Sequence, residues 1–140
     1  MSSRQLYLVD STIWIGLVRR KLPQELADRI DELLNVDAVA ANQAIRLEVL
    51  TGCRNEEDYA QNDADFAGFI QFPIRSSTWD FAAELGFRLR RQGFSPSVPD
   101  LIIAASAMER DAIVLHADAD FDTIADSSTL RVESWARATL

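Results

Sequence analysis

The sequence predicts an α/β protein, a three-layer α/β/α sandwich built on a mainly parallel central sheet. Two observations carry that expectation. Leu6-Tyr7-Leu8-Val9 and Ala112-Ile113-Val114-Leu115 are short runs without a polar face, as strands covered on both sides by helices are. Between such runs lie segments with apolar residues at helical spacing, and strands that alternate with helices favour parallel crossovers over hairpins. A third observation concerns where the strands stop. Asp10 ends the first run and Asp118 closely follows the other. Ligands of open parallel sheets bind beyond the carboxyl ends of strands, so both acids are expected on one edge.

The first strand passes into a helix capped near Ser11 and reaching about Arg20, with Ile13, Trp14, Leu17 and Val18 as its apolar stripe. Pro23 opens a second helix carrying Leu26, Ile30, Leu33 and Leu34 on one face. Val36 to Ala40 reads as a weaker second strand. A third helix runs from about Asn42 to Leu50 and stops at Gly52; within it Glu48 sits on or beside the apolar stripe. Glu56 to Ile70 reads as a fourth helix whose acids form a solvated face. A short third strand is expected at Phe72 to Ile74. Ser77 or Thr78 caps a fifth helix with Phe81, Leu85 and Leu89 inward, ending before Gly93. Val98 precedes a proline, which biases it away from helical dihedrals and places the next helix start at Pro99. Asp100 then falls in the first turn, where unpaired amides favour a carboxylate. Leu101 to Met108 leaves that helix little polar surface, so it is expected to be buried. A last strand near Leu130 to Glu133 and a short terminal helix with Trp135 close the chain.

Bulk properties narrow the classes. With 140 residues and 48% hydrophobic content, one domain over residues 1–140 is expected, long enough to bury about 68–70% of its unfolded surface. The single cysteine, Cys53, fits a reducing compartment and reads as a small buried apolar residue. A strand-like segment close to the N-terminus leaves no room for a signal peptide, and no apolar run reaches the ~18 residues of a membrane helix; the expectation is a cytoplasmic protein away from the membrane. A net charge of −8 argues against a general nucleic-acid coat. It leaves open an enzyme that holds metal ions in an acidic cleft, since those ions invert the local charge logic.

Asp10, Glu48, Asp100 and Asp118, with Asp120 as a fifth candidate, stand out because each adjoins strongly apolar sequence. A lone ionised acid there would cost several kcal/mol to desolvate, and clustered acids raise one another's pKa unless a cation is present. Hard divalent cations such as Mg²⁺ or Mn²⁺ relieve both problems through oxygen ligands, and they can clamp the oxygens of a phosphodiester.

Val9-Asp10-Ser11-Thr12-Ile13-Trp14-Ile15, Glu48-Val49-Leu50-Thr51-Gly52, Pro99-Asp100 before an apolar helix, and Asp118-Ala119-Asp120-Phe121 occur in that order. This ordered set resembles a PIN domain, specifically the VapC-type toxin ribonucleases of bacterial toxin–antitoxin pairs, over nearly the whole chain. The resemblance implies a metal-dependent endoribonuclease that takes Mg²⁺ or Mn²⁺ and cuts RNA in single-stranded or loop regions. It implies Asp10 and Asp100 as metal ligands and Glu48 and Asp118 as completing the acidic pocket. Asp120 would share or replace the role of Asp118, and Ser11 would place its hydroxyl beside the metal. It further implies a homodimer and a small VapB-like antitoxin whose C-terminal segment blocks the pocket. Where such toxins usually carry Thr or Ser-Asn before the fourth acid, this chain has His116-Ala117.

Other residues read more plainly. Asp122 is a turn or cap acid. His116, with no nucleophilic motif beside it, takes a structural or rim position rather than acting as a base. Trp14, Trp79 and Trp135 are core or dimer-contact residues. Arg19, Arg20 and Lys21, and the group Arg88, Arg90 and Arg91, end helices, where cations are favoured; one group lining an RNA path is a lesser reading. Among other function classes, a catalytically retired PIN-fold interaction module has no reason to keep several costly carboxylates. A haloacid-dehalogenase-like phosphatase would want an acid where Thr12 stands, and a receiver domain would want a late lysine, whereas Lys21 is the only lysine.

Overall fold

The computed structural model describes residues 4–136. Seven helices and five strands follow in the order β1 (Tyr7–Val9), α1 (Ser11–Val18), α2 (Gln24–Asn35), β2 (Val39–Ala41), α3 (Gln43–Thr51), α4 (Glu56–Ala67), β3 (Ile70–Gln71), α5 (Ser76–Arg91), α6 (Val98–Glu109), β4 (Ile113–His116), α7 (Ala119–Asp126) and β5 (Arg131–Ser134). All pairings are parallel, in the spatial order β3-β2-β1-β4-β5. Strand order therefore reverses beside β1, and the crevice between the carboxyl ends of β1 and β4 is the place where such sheets bind ligands.

Register and side-chain contacts fix the layers. Tyr7, Ile113 and Arg131 are level across β1, β4 and β5, as are Val9, Leu115 and Glu133 two residues on. Residues of these two rows share one face. On it lies α2, because Arg29 donates to Tyr7 Oη at 3.2 Å and to both oxygens of Glu133. Leu8, Val114 and Val132 point the other way, with His116 and Ser134. That face is covered by α7, whose Phe121 ring lies 5.1 Å from the His116 ring and whose Asp122 accepts from Ser134 Oγ at 2.8 Å. The three-layer expectation holds.

Leu8, Val9, Val114 and Leu115 are fully buried, as strands between two helix layers must be. Along α6, Ile102 through Ala107 is buried without interruption. Helix α5 approaches it closely at a glycine: a Cβ on Gly86 would meet Leu101 Cδ1 of α6 at 2.8 Å. At the end of α5, Gly93 takes φ +91°, a left-handed turn that costs glycine little.

Several boundaries differ from expectation. The cap of α1 is Asp10, not Ser11, because the acid leaves the strand with extended dihedrals and accepts from the Thr12 N–H. Pro23 is the residue before α2, and Asn42 caps α3 by accepting from the Ile45 N–H. The second strand is the fully buried Val39–Ala41 rather than Val36–Ala40; Val36 is exposed. Residues 68–74 carry the largest shift. Helix α4 ends at Ala67 before Gly68, and β3 forms at Ile70–Gln71 rather than Phe72–Ile74. Phe66, Phe69 and Ile70 continue a helical apolar spacing on paper, yet Phe69 turns back to stack on Trp14 with ring centroids 5.0 Å apart. Helix α5 starts one residue before Ser77. Its Thr78 sits in the first turn and accepts from the Arg75 N–H at 3.1 Å. Helix α6 starts at Val98, not Pro99, since Ser97 takes the cap. Helix α7 is an addition to the expected elements, which place no helix between Asp118 and the last strand. Trp135 and Ala136 are not helical, and the rest of the expected terminal helix lies outside the described residues.

Candidate active site

Each acid is delivered by a different device. The Asp10 backbone N–H still donates to Leu115 O at 2.9 Å, so the sheet itself fixes this residue. Its side chain, 2% exposed, accepts from the Thr12 N–H at 3.2 Å and the Thr12 hydroxyl at 2.7 Å. Burial pushes the Asp10 carboxyl above the usual range, against the pull of those bonds. Glu48 reaches in from the second half of α3. Half-buried, it accepts from Ser11 Oγ at 3.1 Å, and burial and the nearby Asp10 charge raise its pKa. Ser11 is itself buried at the first position of α1.

Asp100 lies in the first turn of α6, where its N–H donates to Ser97 Oγ at 3.3 Å. Burial, then the charges of Asp10 and Asp118 and more weakly Asp120, push its carboxyl up to about 7. Asp118 caps α7: its Oδ1 accepts from the Asp120 N–H at 2.9 Å, and its own N–H donates to His116 Nδ1 at 3.1 Å. One carboxylate oxygen from each of Asp100, Asp118 and Asp120 lies within 4.8 Å of the others. Asp10 and Glu48 are outside that close set, but the Asp10 charge acts on both Asp100 and Glu48 and so links the two halves of the cluster.

An all-oxygen donor set with one carboxyl raised to about 7 fits a hard divalent cation, which offsets the repulsion among its ligands. Without metal, the site carries a pH signature. Folded Asp100 keeps its proton up to about pH 7, whereas the unfolded carboxyl releases it near pH 4. Asp100 therefore contributes stability below that window and loses it as pH rises through it. His116 works oppositely, because burial lowers its pKa, so the measurement is a difference between two proteins. In metal-free melts, Asp100→Asn should unfold a few degrees above wild type at pH 8 and level with it at pH 5. A difference independent of pH would show that Asp100 is not strained by its neighbours.

The PIN-domain sequence profile matches residues 7–127. The chain belongs to the PIN-domain family. Over 122 residues this PIN domain is 31% identical to Ribonuclease VapC51 of Mycobacterium tuberculosis, with 85% of each chain covered. It is 28% identical over 135 residues to Ribonuclease VapC11 of the same species, covering 93% of this chain and 99% of that one. By shape it is similar to a chain of the VapBC2 crystal structure from Rickettsia felis bound to a promoter DNA fragment. That match has a TM-score of 0.78 and 18% identity, covering 94% of this chain and 99% of the other. At that identity the likeness speaks to the fold.

Of the five acids named from the sequence, Asp100, Asp118 and Asp120 form the close set, and Asp10 lies near enough for its charge to act on Asp100 and on Glu48. Of the structural or rim position expected for His116, it takes the structural one, fully buried at the end of β4. Asp122, expected as a turn or cap acid, lies in the first turn of α7 and there faces His116 and Ser134. Cys53 is half-buried rather than buried, its thiol directed to Val49 O at 3.4 Å. Trp14 is in the core and Trp79 is largely exposed. Arg88 pairs with Glu84 at 2.6 Å, and Arg91 lies over the Phe87 ring. Thr12, to which the sequence alone assigns no site role, is the group that holds Asp10. A hydroxyl two residues after a strand-end aspartate is the available signal, because short side chains there close local turns.

Proposed function

We propose that this PIN domain is an endoribonuclease that hydrolyses RNA phosphodiester bonds with Mg²⁺ or Mn²⁺ and acts as the toxin of a toxin–antitoxin pair. The observation that carries the reading is the convergence of Asp100, Asp118 and Asp120 within 4.8 Å beside Asp10 and Glu48. Relatives spanning nearly the whole chain are named ribonucleases, which supports the same chemistry. Asp10, Asp100, Asp118 and Asp120 hold the cation. Glu48, oriented by the Ser11 hydroxyl, completes the pocket. Thr12 occupies one oxygen of Asp10 and thereby fixes how the carboxylate presents the other. The bound cation supplies the positive charge that lets these acids face a phosphodiester and lowers the pKa of a water. The retired-module reading is disfavoured, since a raised Asp100 with no ion to hold is a pure cost in stability.

Solved neighbours are VapBC toxin–antitoxin complexes, and this chain is read as pairing with a small VapB-like antitoxin. A groove of about 470 Å³ floored by Trp14, Leu17, Leu34, Phe66 and Phe69 and edged by Asp58 and Asp65 suits an apolar segment flanked by basic residues. Trp79 and Phe87, exposed two turns apart on α5, suit contact with a second copy in a homodimer. No helix among the described residues is long and apolar enough to cross a membrane, and a cytoplasmic location accords with the free Cys53.

The decisive experiment incubates purified protein with a structured RNA pool in Mg²⁺, in Mn²⁺ and with chelator. Cutting in either metal that stops with chelator is expected. Cutting that survives chelation overturns the mechanism, and no cutting together with no Mn²⁺ uptake in a calorimetric titration overturns the enzyme.

A further inference from the structure

A buried histidine at the end of a central strand bonds the backbone of one candidate metal ligand, and the reaction described above gives it nothing to do. His116 is the last residue of β4 and is fully buried. Its backbone carbonyl accepts from the Trp135 N–H at 2.8 Å, so β5 holds the main chain in place. On the ring, Nδ1 accepts the Asp118 N–H at 3.1 Å. An acceptor nitrogen carries no proton, so the neutral ring bears its hydrogen on Nε2. That atom points toward α7, 3.3 Å from Asp122 Oδ1, and finds no hydrogen bond of good geometry among the described residues. Asp122 is in turn tied by Oδ2 to Ser134 Oγ at 2.8 Å. Phe121 covers the ring from the same helix.

From the ring, the connection runs straight to the acids. The amide that His116 accepts belongs to Asp118, and Asp118 Oδ1 holds the amide of Asp120. The imidazole nitrogen thus holds the Asp118 backbone in the turn from β4 into α7, and two of the three clustered carboxylates sit on that turn. We propose that His116 is a positioning residue for the metal site: its Nδ1 sets the Asp118 backbone, and through it the spacing of Asp118 and Asp120 about the cation. This inference rests on the reading of those two acids as metal ligands. It assigns the imidazole no contact with RNA and no proton transfer.

Three substitutions separate the functions of the ring. Asn at position 116 keeps an acceptor oxygen near the place of Nδ1 but does not reach Asp122. Gln reaches toward Asp122 but offers nothing near Nδ1. Leu offers neither. The readout is Mn²⁺ affinity by calorimetry on the full chain, with melting temperature as the fold control. Groups that orient metal ligands typically change metal affinity by about 10–100-fold when removed. His116→Gln and His116→Leu should weaken Mn²⁺ binding by that factor, while His116→Asn stays within a few-fold of wild type. Should Leu fail to fold, the Gln–Asn contrast alone decides. Equal weakening in Asn and Gln, or none in either, would overturn the proposal and leave His116 as core filling. Asp118→Asn is measured in parallel. If it binds Mn²⁺ like wild type, the ligand assignment itself has failed; if it weakens binding while His116→Gln does not, only the positioning role has.

Discussion

Asp10→Asn should slow cleavage about a hundredfold or more while leaving the fold intact and the metal-free protein slightly more stable. Asparagine caps a helix as well as aspartate does, so the bonds from the Thr12 N–H and hydroxyl survive with an amide oxygen in place of a carboxylate. What disappears is a charge at 2% exposure, disfavoured by burial and felt as repulsion by Glu48 and Asp100. Without that charge the cation is held less tightly, and loss of several kcal/mol of charge stabilisation in the transition state slows cutting on the order of 10²–10³-fold. Single-turnover cleavage at saturating Mn²⁺ beside a thermal melt checks both halves. Wild-type cleavage by this variant would remove Asp10 from the chemistry, and a large drop in melting temperature would mean that its charge stabilises the fold instead.

Phe121→Ala should cost about 3–5 kcal/mol, the range for emptying a buried phenylalanine, out of the ~5–15 kcal/mol that holds a domain of this size together. Phe121 is fully buried under α7 and against His116, and it directly follows Asp120 in sequence. The cavity would therefore open beneath the turn that presents Asp118 and Asp120. Urea unfolding should show the midpoint falling with the slope unchanged, and Mn²⁺ affinity should fall with it. A loss below about 1 kcal/mol would place Phe121 outside the core.

Why the chain yields some of this from sequence and withholds the rest is visible in single residues. Val9-Asp10 and Leu115-His116 are legible because a two-sided apolar run that stops at polar residues has few homes other than the carboxyl end of a buried strand. Asp100 is legible because Pro99 marks a helix start locally, within one residue. Helix α7 was hidden. It has only eight residues, and Asp118-Ala119-Asp120 draws the eye as chemistry before it reads as a cap and first turn. The start of β3 was hidden for another reason: Phe69 is drawn from the helical spacing by Trp14, more than fifty residues earlier in the chain. His116 is the extreme case. Nothing near it in sequence announces that its Nδ1 accepts an amide two residues on while its other edge faces α7.

The strand order has a consequence for how the protein is made. Of the five described strands β1 is made first, and β2 can pair with one of its edges early, Tyr7 against Val39. The other edge waits for β4, Tyr7 against Ile113, a distant closure of the kind that makes parallel sheets slow to complete. Until then a buried strand has an open flank, the sort of surface on which incomplete chains stick to one another. The same delay keeps the young chain harmless. Asp10 and Glu48 are synthesised long before Asp118 and Asp120, so no partial product ending before α7 contains the gathered acids. The acids of an RNA-cutting chain thereby come together only after the start of α7 has been made.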